Sequence, residues 1–189
     1  MKKFIILMLA ILLVTPVFST TIKGGGLFGI RNIADSSINK YFSSSFLYNL
    51  YIGISPVKGL TIGLGKEANY NKDAKIGLYN DNSTLKIKSS IYIFGSYEYK
   101  INKFSPYLKF GFYKIETNQT FDNPKLKPFE FNKDKTTYFI GAGIKYNLSK
   151  KFNLIADIYT TPCNIEPFEK SVNVGGLRLS GGIEYIFNL

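Results

Sequence analysis

No histidine and no tryptophan occur among the 189 residues, methionine appears twice and cysteine once. Without an imidazole to relay protons near neutral pH, Ser-His-Asp and Cys-His nucleophilic centres are excluded. Zinc loses its usual nitrogen ligand by the same absence, and one thiol does not replace it. Cys163 has no partner for an intramolecular disulfide, even in an oxidising compartment. It reads as a free thiol in a loop, with an intermolecular bridge as the alternative. After Thr20 no apolar run approaches the roughly 20 residues that a helix needs to cross a bilayer, so a helical membrane protein is excluded. The sequence nominates no catalytic residue, no metal ligand and no cofactor.

The segment MKKFIILMLAILLVTPVFST opens with Lys2 and Lys3, continues apolar from Phe4 to Val17, and reaches small-residue processing chemistry around Val17-Phe18-Ser19. It reads as a cleaved signal over residues 1–19, leaving a single domain over 20–189. An uncleaved anchor is the alternative, and the apolar run is short for one. No cysteine follows that run to take a lipid. The formal charge of +11 falls to +9 once Lys2 and Lys3 are removed. That balance suits phosphate-bearing partners, but the basic residues are scattered among Asn, Asp and Glu, as on a solvated surface. An exported chain is not expected to bind nucleic acid. Gly24-Gly25-Gly26 lacks the Gly-Lys-Ser/Thr ending of a phosphate loop and reads as close backbone approach in a narrow sheet.

What is present is period two. In GLRLSGGIEYIFNL, residues 176–189, apolar or small residues alternate with Arg178, Ser180, Gly182, Glu184 and Asn188. SFLYNLYIGIS and TTYFIGAGIKYNLS alternate the same way, as strands with two unlike faces. The template gives about eight strands, near 21–31, 45–55, 59–67, 87–101, 106–115, 136–148, 152–160 and 177–189. Short turn-like connections at 55–59, 101–105 and 148–151 alternate with longer polar stretches near 32–44, 67–86, 116–135 and 161–176. Antiparallel strands would therefore gather the short turns at one end and the long loops at the other.

An apolar face can line a lumen, as in a soluble lipocalin-like carrier, or face lipid. The opposite face carries Glu98 and Lys100, Lys109, Lys145, Asp157, Arg178 and Glu184. Counted from the short turns, Glu98, Lys109, Lys145, Asp157 and Glu184 are expected at similar depth, as a belt of mixed sign inside a narrow lumen. On the apolar face, Tyr97, Tyr99, Tyr146, Tyr185 and Phe187 fall near the short turns, and Phe46, Tyr48, Phe112 and Tyr138 toward the long loops. Two aromatic rings around an aliphatic middle match the interfacial girdles of a membrane barrel. Inward glycines Gly53, Gly63, Gly141, Gly143 and Gly182 subtract volume and favour a narrow pore, while the ionic belt favours a plug. In DNPKLKPFEFNKDK, residues 122–135, Phe129 and Phe131 stand among charges and prolines, which marks a candidate partner loop with Lys125 and Lys127.

These features resemble the small outer-membrane barrels of the OmpA/OmpX-like porin family over the whole mature chain. The resemblance implies an all-β fold: a closed antiparallel up-and-down transmembrane β-barrel of about eight strands. It further implies export to the outer membrane of a Gram-negative-type bacterium, assembly by the barrel assembly machinery and a monomeric state. The expected role is non-enzymatic, in envelope integrity or adhesion, with lipid and lipopolysaccharide phosphates as partners of loop lysines such as Lys125, Lys127 and Lys133. The family usually ends in an aromatic residue; here Leu189 takes that place and Phe187 stands two before it. A narrow channel and a periplasmic carrier stay open as alternatives.

Overall fold

The computed structural model describes residues 21–34, 45–69, 74–75, 82–122, 129–165 and 172–188. The expected signal segment, Lys125 and Lys127 lie outside the described residues. The elements are β1 (Thr21–Ile33), β2 (Ser45–Val57), β3 (Leu60–Asn69), β4 (Ala74–Lys75), β5 (Asn82–Glu98), β6 (Phe104–Asp122), β7 (Phe129–Asn147), β8 (Phe152–Thr161), β9 (Asn164–Ile165), β10 (Val172–Asn173) and β11 (Gly176–Asn188). Eight of them, β1, β2, β3, β5, β6, β7, β8 and β11, pair antiparallel in that order. The seam closes between β1 and β11, from Thr21 opposite Asn188 to Ile33 opposite Gly176. The sheet has no edge along this seam, and the glycine run of β1 pairs on both sides.

The turns follow local chemistry. Gly59 adopts φ 86° between β2 and β3, where a Cβ would stand 2.7 Å from the Glu98 carbonyl oxygen. That oxygen position belongs to a close pair of chains, since the Glu98 amide donates to the Gly59 carbonyl at 2.7 Å. Asn102, at φ 55°, turns β5 into β6; asparagine tolerates the left-handed region better than most residues. Ser149 Oγ accepts from the amides of Lys151 and Phe152, fixing the β7–β8 turn.

The register sets the stagger. One row of paired residues runs from Tyr146 through Leu154, Ile183, Gly26, Leu50, Lys66, Ile91 and Lys114, and returns to β7 at Thr136, ten residues from its start (146 − 136 = 10). With a rise of ~3.3 Å per residue and strands ~4.8 Å apart, this stagger tilts the strands by roughly 40°. A barrel of this size leaves an interior that side chains can fill.

Apolar residues point outward: Phe28 is 75% exposed, Leu50 62%, Ile93 58%, Leu108 67% and Ile140 59%. Charged residues point in. This is the reverse of a lipocalin-like carrier, so that alternative is set aside. Two of the expected long loops are shorter than the sequence suggested. β5 starts at Asn82, with a bulge between Ile87 and Ser90, and β6 and β7 extend to Asp122 and from Phe129. These extensions carry polar residues at successive positions of both faces, so apolar alternation fades although the strand continues.

In a Cys163→Ala background, labels on cysteines at Leu50, Ile93 and Ile140 are expected to report lipid. Labels at Asn49 and Ser180, which are buried on the inward face, should not. Lipid-soluble quenchers reaching both sets equally would contradict the sidedness.

Candidate functional site: the closed lumen and the sheet above it

The inward side chains stack in three ionic levels. Nearest the short turns, Glu98 holds Lys23 and Lys145 at 2.8 Å each, and Lys145 also meets Glu184 at 2.9 Å. Glu184 accepts further hydrogen bonds from Tyr51 Oη at 2.7 Å and Asn153 Nδ2 at 2.9 Å. Lys23 donates to Thr61, which is joined to Ser55. Two cations and two anions balance. One level on, Lys109 approaches Asp157 at 3.4 Å, and its ammonium lies 4.7 Å from the Phe94 ring centroid and 5.1 Å from that of Tyr92. The quadrupoles of those rings replace part of the lost hydration. At the third level Glu67 serves two guanidinium groups, Arg178 at 3.2 Å and Arg31 at 3.7 Å, and also accepts from Tyr159 Oη.

Sequence reasoning placed Glu98, Lys109, Lys145, Asp157 and Glu184 at one depth. The structure brings Glu98, Lys145 and Glu184 together, sets Lys109 and Asp157 one level away, and puts Arg178 in the third level with partners not foreseen. Strand stagger is the reason, because distance counted from a turn is not height along a tilted barrel. Lys100 lies past the end of β5 and is exposed, outside the network. Lys23, Arg31 and Glu67 were missed. Lys23 adjoins the glycine run that drew attention in β1, and Arg31 ends the expected strand 21–31. Glu67 ends the expected strand 59–67, where the polar stretch begins, and it was not counted among the inward charges although it continues the inward series Thr61, Gly63, Gly65.

Aromatic rings fill the space between levels, and glycines make room for them. Tyr51 lies opposite Gly25, Phe94 opposite Gly63, Tyr92 opposite Gly65, Tyr107 opposite Gly143 and Phe139 opposite Gly111. In each pair a Cβ on the glycine would run into the facing ring. Gly141 meets the Tyr159 Cβ in the same way, while Gly53 faces Thr61 and Gly182 the Gly26 backbone. The volume surrendered by the inward glycines is therefore occupied by neighbouring atoms. Between the first two levels remains a cavity of about 20 Å³ touching Tyr51, Tyr107, Lys109, Lys145, Asp157 and Glu184, room for a single water. A vestibule of about 470 Å³, lined by Lys58, Glu98, Lys100, Ser105, Asn153 and Ile186, opens at the short-turn end.

At the long-loop end, Ile33, Ile87, Ile115, Cys163 and Val174 form a buried apolar layer over the arginines. Val174 donates to the Cys163 carbonyl and Ala34 to that of Gly175, which ties the β8–β11 connection to β1. Cys163 is thus a free thiol in the β8–β9 connection, as expected, but a buried one, and burial pushes its thiol up from its ordinary range.

Outside the barrel, Tyr97 and Tyr99 are 60% and 65% exposed and Phe187 50%. Tyr146 and Tyr185 are half-buried: Tyr146 leans on Phe104 at 5.1 Å and Tyr185 on Phe152 at 4.9 Å. At the opposite end Phe46, Tyr48, Phe112 and Tyr138 are exposed.

Above the barrel, β6 stays paired with β7 up to Phe121 opposite Phe129. β7 pairs with β8 only from Ile140 to Asn147, so β5, β6 and β7 rise together past the other strands. The β5 side of this protrusion is covered by β4, through Ala74–Leu85 and Lys75–Thr84. Among the described residues no strand pairs with the other side from Lys133 to Thr136. The candidate partner loop is corrected accordingly: Phe129 and Phe131 belong to β7, opposite Phe121 and Gln119.

Three outcomes test the lumen. Gly65→Val and Gly143→Val should each lower folding stability by about 1–3 kcal/mol through overpacking. Gly181→Val points outward, with its nearest neighbour 3.5 Å away, and should be tolerated; urea titration in liposomes measures all three. Lys145→Met leaves Glu98 and Glu184 short of a cation and should cost about 3–5 kcal/mol, partly recovered by adding Glu184→Gln. Alkylation of Cys163 should be at least tenfold slower in the folded barrel than in urea, since a raised thiol pKa and burial both withhold thiolate.

The profile of the outer membrane protein beta-barrel domain matches residues 5–187. The fold is similar to the N-terminal β-barrel domain of Pseudomonas aeruginosa OprF, at 16% identity and TM-score 0.54, over 90% of this chain and 98% of that one. It is also similar to Neisserial surface protein A, at 15% identity and TM-score 0.55, over 89% and 97%. Ail, the attachment invasion locus protein of Yersinia pestis, aligns at 14% identity and TM-score 0.55, over 90% and 100%. Among curated proteins no sequence matches significantly. A closed eight-stranded sheet, apolar outside and ionic within, together with a profile spanning nearly its whole length, places the chain in the outer membrane protein beta-barrel domain family.

Proposed function

We propose that the protein is a non-enzymatic anchor whose plugged barrel holds a three-stranded sheet above the outer membrane for surface contact, with residues 1–19 removed on export. The observation that carries this reading is the side of β7 from Lys133 to Thr136, with which no strand pairs among the described residues. Unpaired strand edges accept a partner strand, and natural edges are otherwise blocked or charged. Lys133, Asp134 and Lys135 oppose pairing with a second copy, because an antiparallel pair centred on Asp134 sets Lys133 against Lys135. That repulsion favours a monomer and a different partner. Lys66, exposed on the outward face above Leu64, can snorkel toward outer-leaflet phosphates. Lys125 and Lys127 are proposed to reach lipopolysaccharide phosphates from the β6–β7 connection, and the barrel assembly machinery is proposed to insert the chain.

A second reading, a narrow channel for ions or small solutes, draws on the vestibule and the small cavity beneath Lys109. The anchor reading expects no discrete conductance steps in planar bilayers. Steps that Lys145→Glu abolishes or alters would favour the channel. To test surface contact, residues 116–134 are replaced by an Asn-Gly turn that closes Ile115 onto Lys135 in its own register. The shortened barrel should keep heat-modifiable gel mobility, while cells carrying it lose adhesion to epithelial monolayers relative to the full chain. Unchanged adhesion would leave the envelope as the site of action, read as leakage of a hydrophobic dye when the whole barrel is removed.

A further inference from the structure

The third ionic level does not balance. Arg31 and Arg178 face each other directly across the β1–β11 seam, their side chains are wholly buried, and they share one carboxylate, Glu67, itself wholly buried. Like charges placed directly opposite in a sheet repel, and a buried charge without a counter-ion costs several kcal/mol.

The hydrogen bonding is unbalanced in the same sense. Arg31 Nε and Nη2, Arg178 Nη2 and Asn49 Nδ2 are buried donors with no acceptor. The hydroxyls of Tyr113 and Ser90 are buried without partners too. These groups belong together: Asn49, Glu67 and Ser90 are consecutive in register across β2, β3 and β5, and the Arg178 guanidinium lies 4.9 Å from the Tyr113 ring centre. The charged and amide acceptors nearby already hold other donors. Glu67 Oε1 takes Arg178 Nε and its other oxygen takes Tyr159, while Asn49 Oδ1 takes Tyr92 at 2.6 Å. A water could satisfy some of these donors but would leave the excess positive charge in place. A species that only accepts hydrogen bonds and carries one negative charge corrects both deficits at once.

We propose that the arginine pair binds a monovalent, halide-sized inorganic anion, enclosed at the long-loop end of the lumen. The anion accepts from Arg31 and Arg178 and completes the charge that Glu67 leaves short. Because the apolar layer of Ile33, Cys163 and Val174 covers the site and tyrosines close it below, the anion is captured as the barrel closes.

The full chain is refolded from urea into liposomes in sodium bromide and, at equal ionic strength, in sodium gluconate, whose anion is too large to enter. The urea midpoint for unfolding should be higher in bromide, with a shift that saturates as bromide rises, and Arg31→Met should abolish the shift. Crystals of protein refolded in bromide should show an anomalous peak between the two guanidinium groups. This diffraction experiment decides the matter alone if Arg31→Met does not fold. An arginine pair without anomalous density between its guanidinium groups, or a bromide shift that survives in Arg31→Met, overturns the proposal; the latter outcome would place the halide effect on surface lysines.

Discussion

An eight-stranded barrel with a stagger of ten residues encloses a channel about one large side chain across, and the rest of the structure depends on how that channel is filled. The outward face must be apolar to meet lipid, so the polar and charged residues have only the interior. Each ion brought there is unaffordable alone and acceptable in company. The network therefore contains shared partners: Glu98 between Lys23 and Lys145, Glu184 between Lys145, Tyr51 and Asn153, Glu67 between two arginines. Sharing ties strands that are distant in sequence. Lys145 links β7 to both β5 and β11, and Glu67 links β3 to β1, β8 and β11.

Rings and glycines complete the filling. An aromatic residue opposite a glycine lies flat over the neighbouring strand, so the pair covers backbone and fills space with one side chain where two would not fit. Five such ring pairs line the interior at different heights, and the ammonium of Lys109 sits among the rings they supply. Packing and electrostatics are then the same problem: the rings that exclude water from Lys109 also provide its compensating field.

Much of this was legible in the residues. Strict alternation in β2, β7, β8 and β11 revealed the strands and their two faces, and the charges on one face with the aromatic residues on the other pointed to the inverted polarity. Depth was not legible. Stagger is a property of pairing between strands, and nothing within one strand shows which residue of its neighbour it meets, so residues at three heights looked like one belt. The destination of Tyr51, Tyr92, Tyr107, Tyr113 and Tyr159 was hidden for a related reason. Tyrosine suits a membrane interface and a polar interior equally well, and only the facing glycine on another strand tells the two apart. The upper parts of β6 and β7 escaped notice because beyond the membrane neither face needs to be apolar, and sequences such as Glu116–Phe121 and Asn132–Thr136 resemble loops.

The molecule divides into a closed barrel whose interior is filled by ion pairs, rings and backbone, and the extensions of β5, β6 and β7 that continue past it. The most direct test of this account is residue-resolved amide hydrogen exchange of the protein in lipid bilayers. It predicts that Gly26–Ile30 and Leu179–Ile183, the two sides of the seam, stay protected as long as Leu108–Phe112 and Tyr138–Ala142 in the β6–β7 pair. Rapid exchange confined to the seam would mean that the sheet is open and the interior wet, and would contradict it.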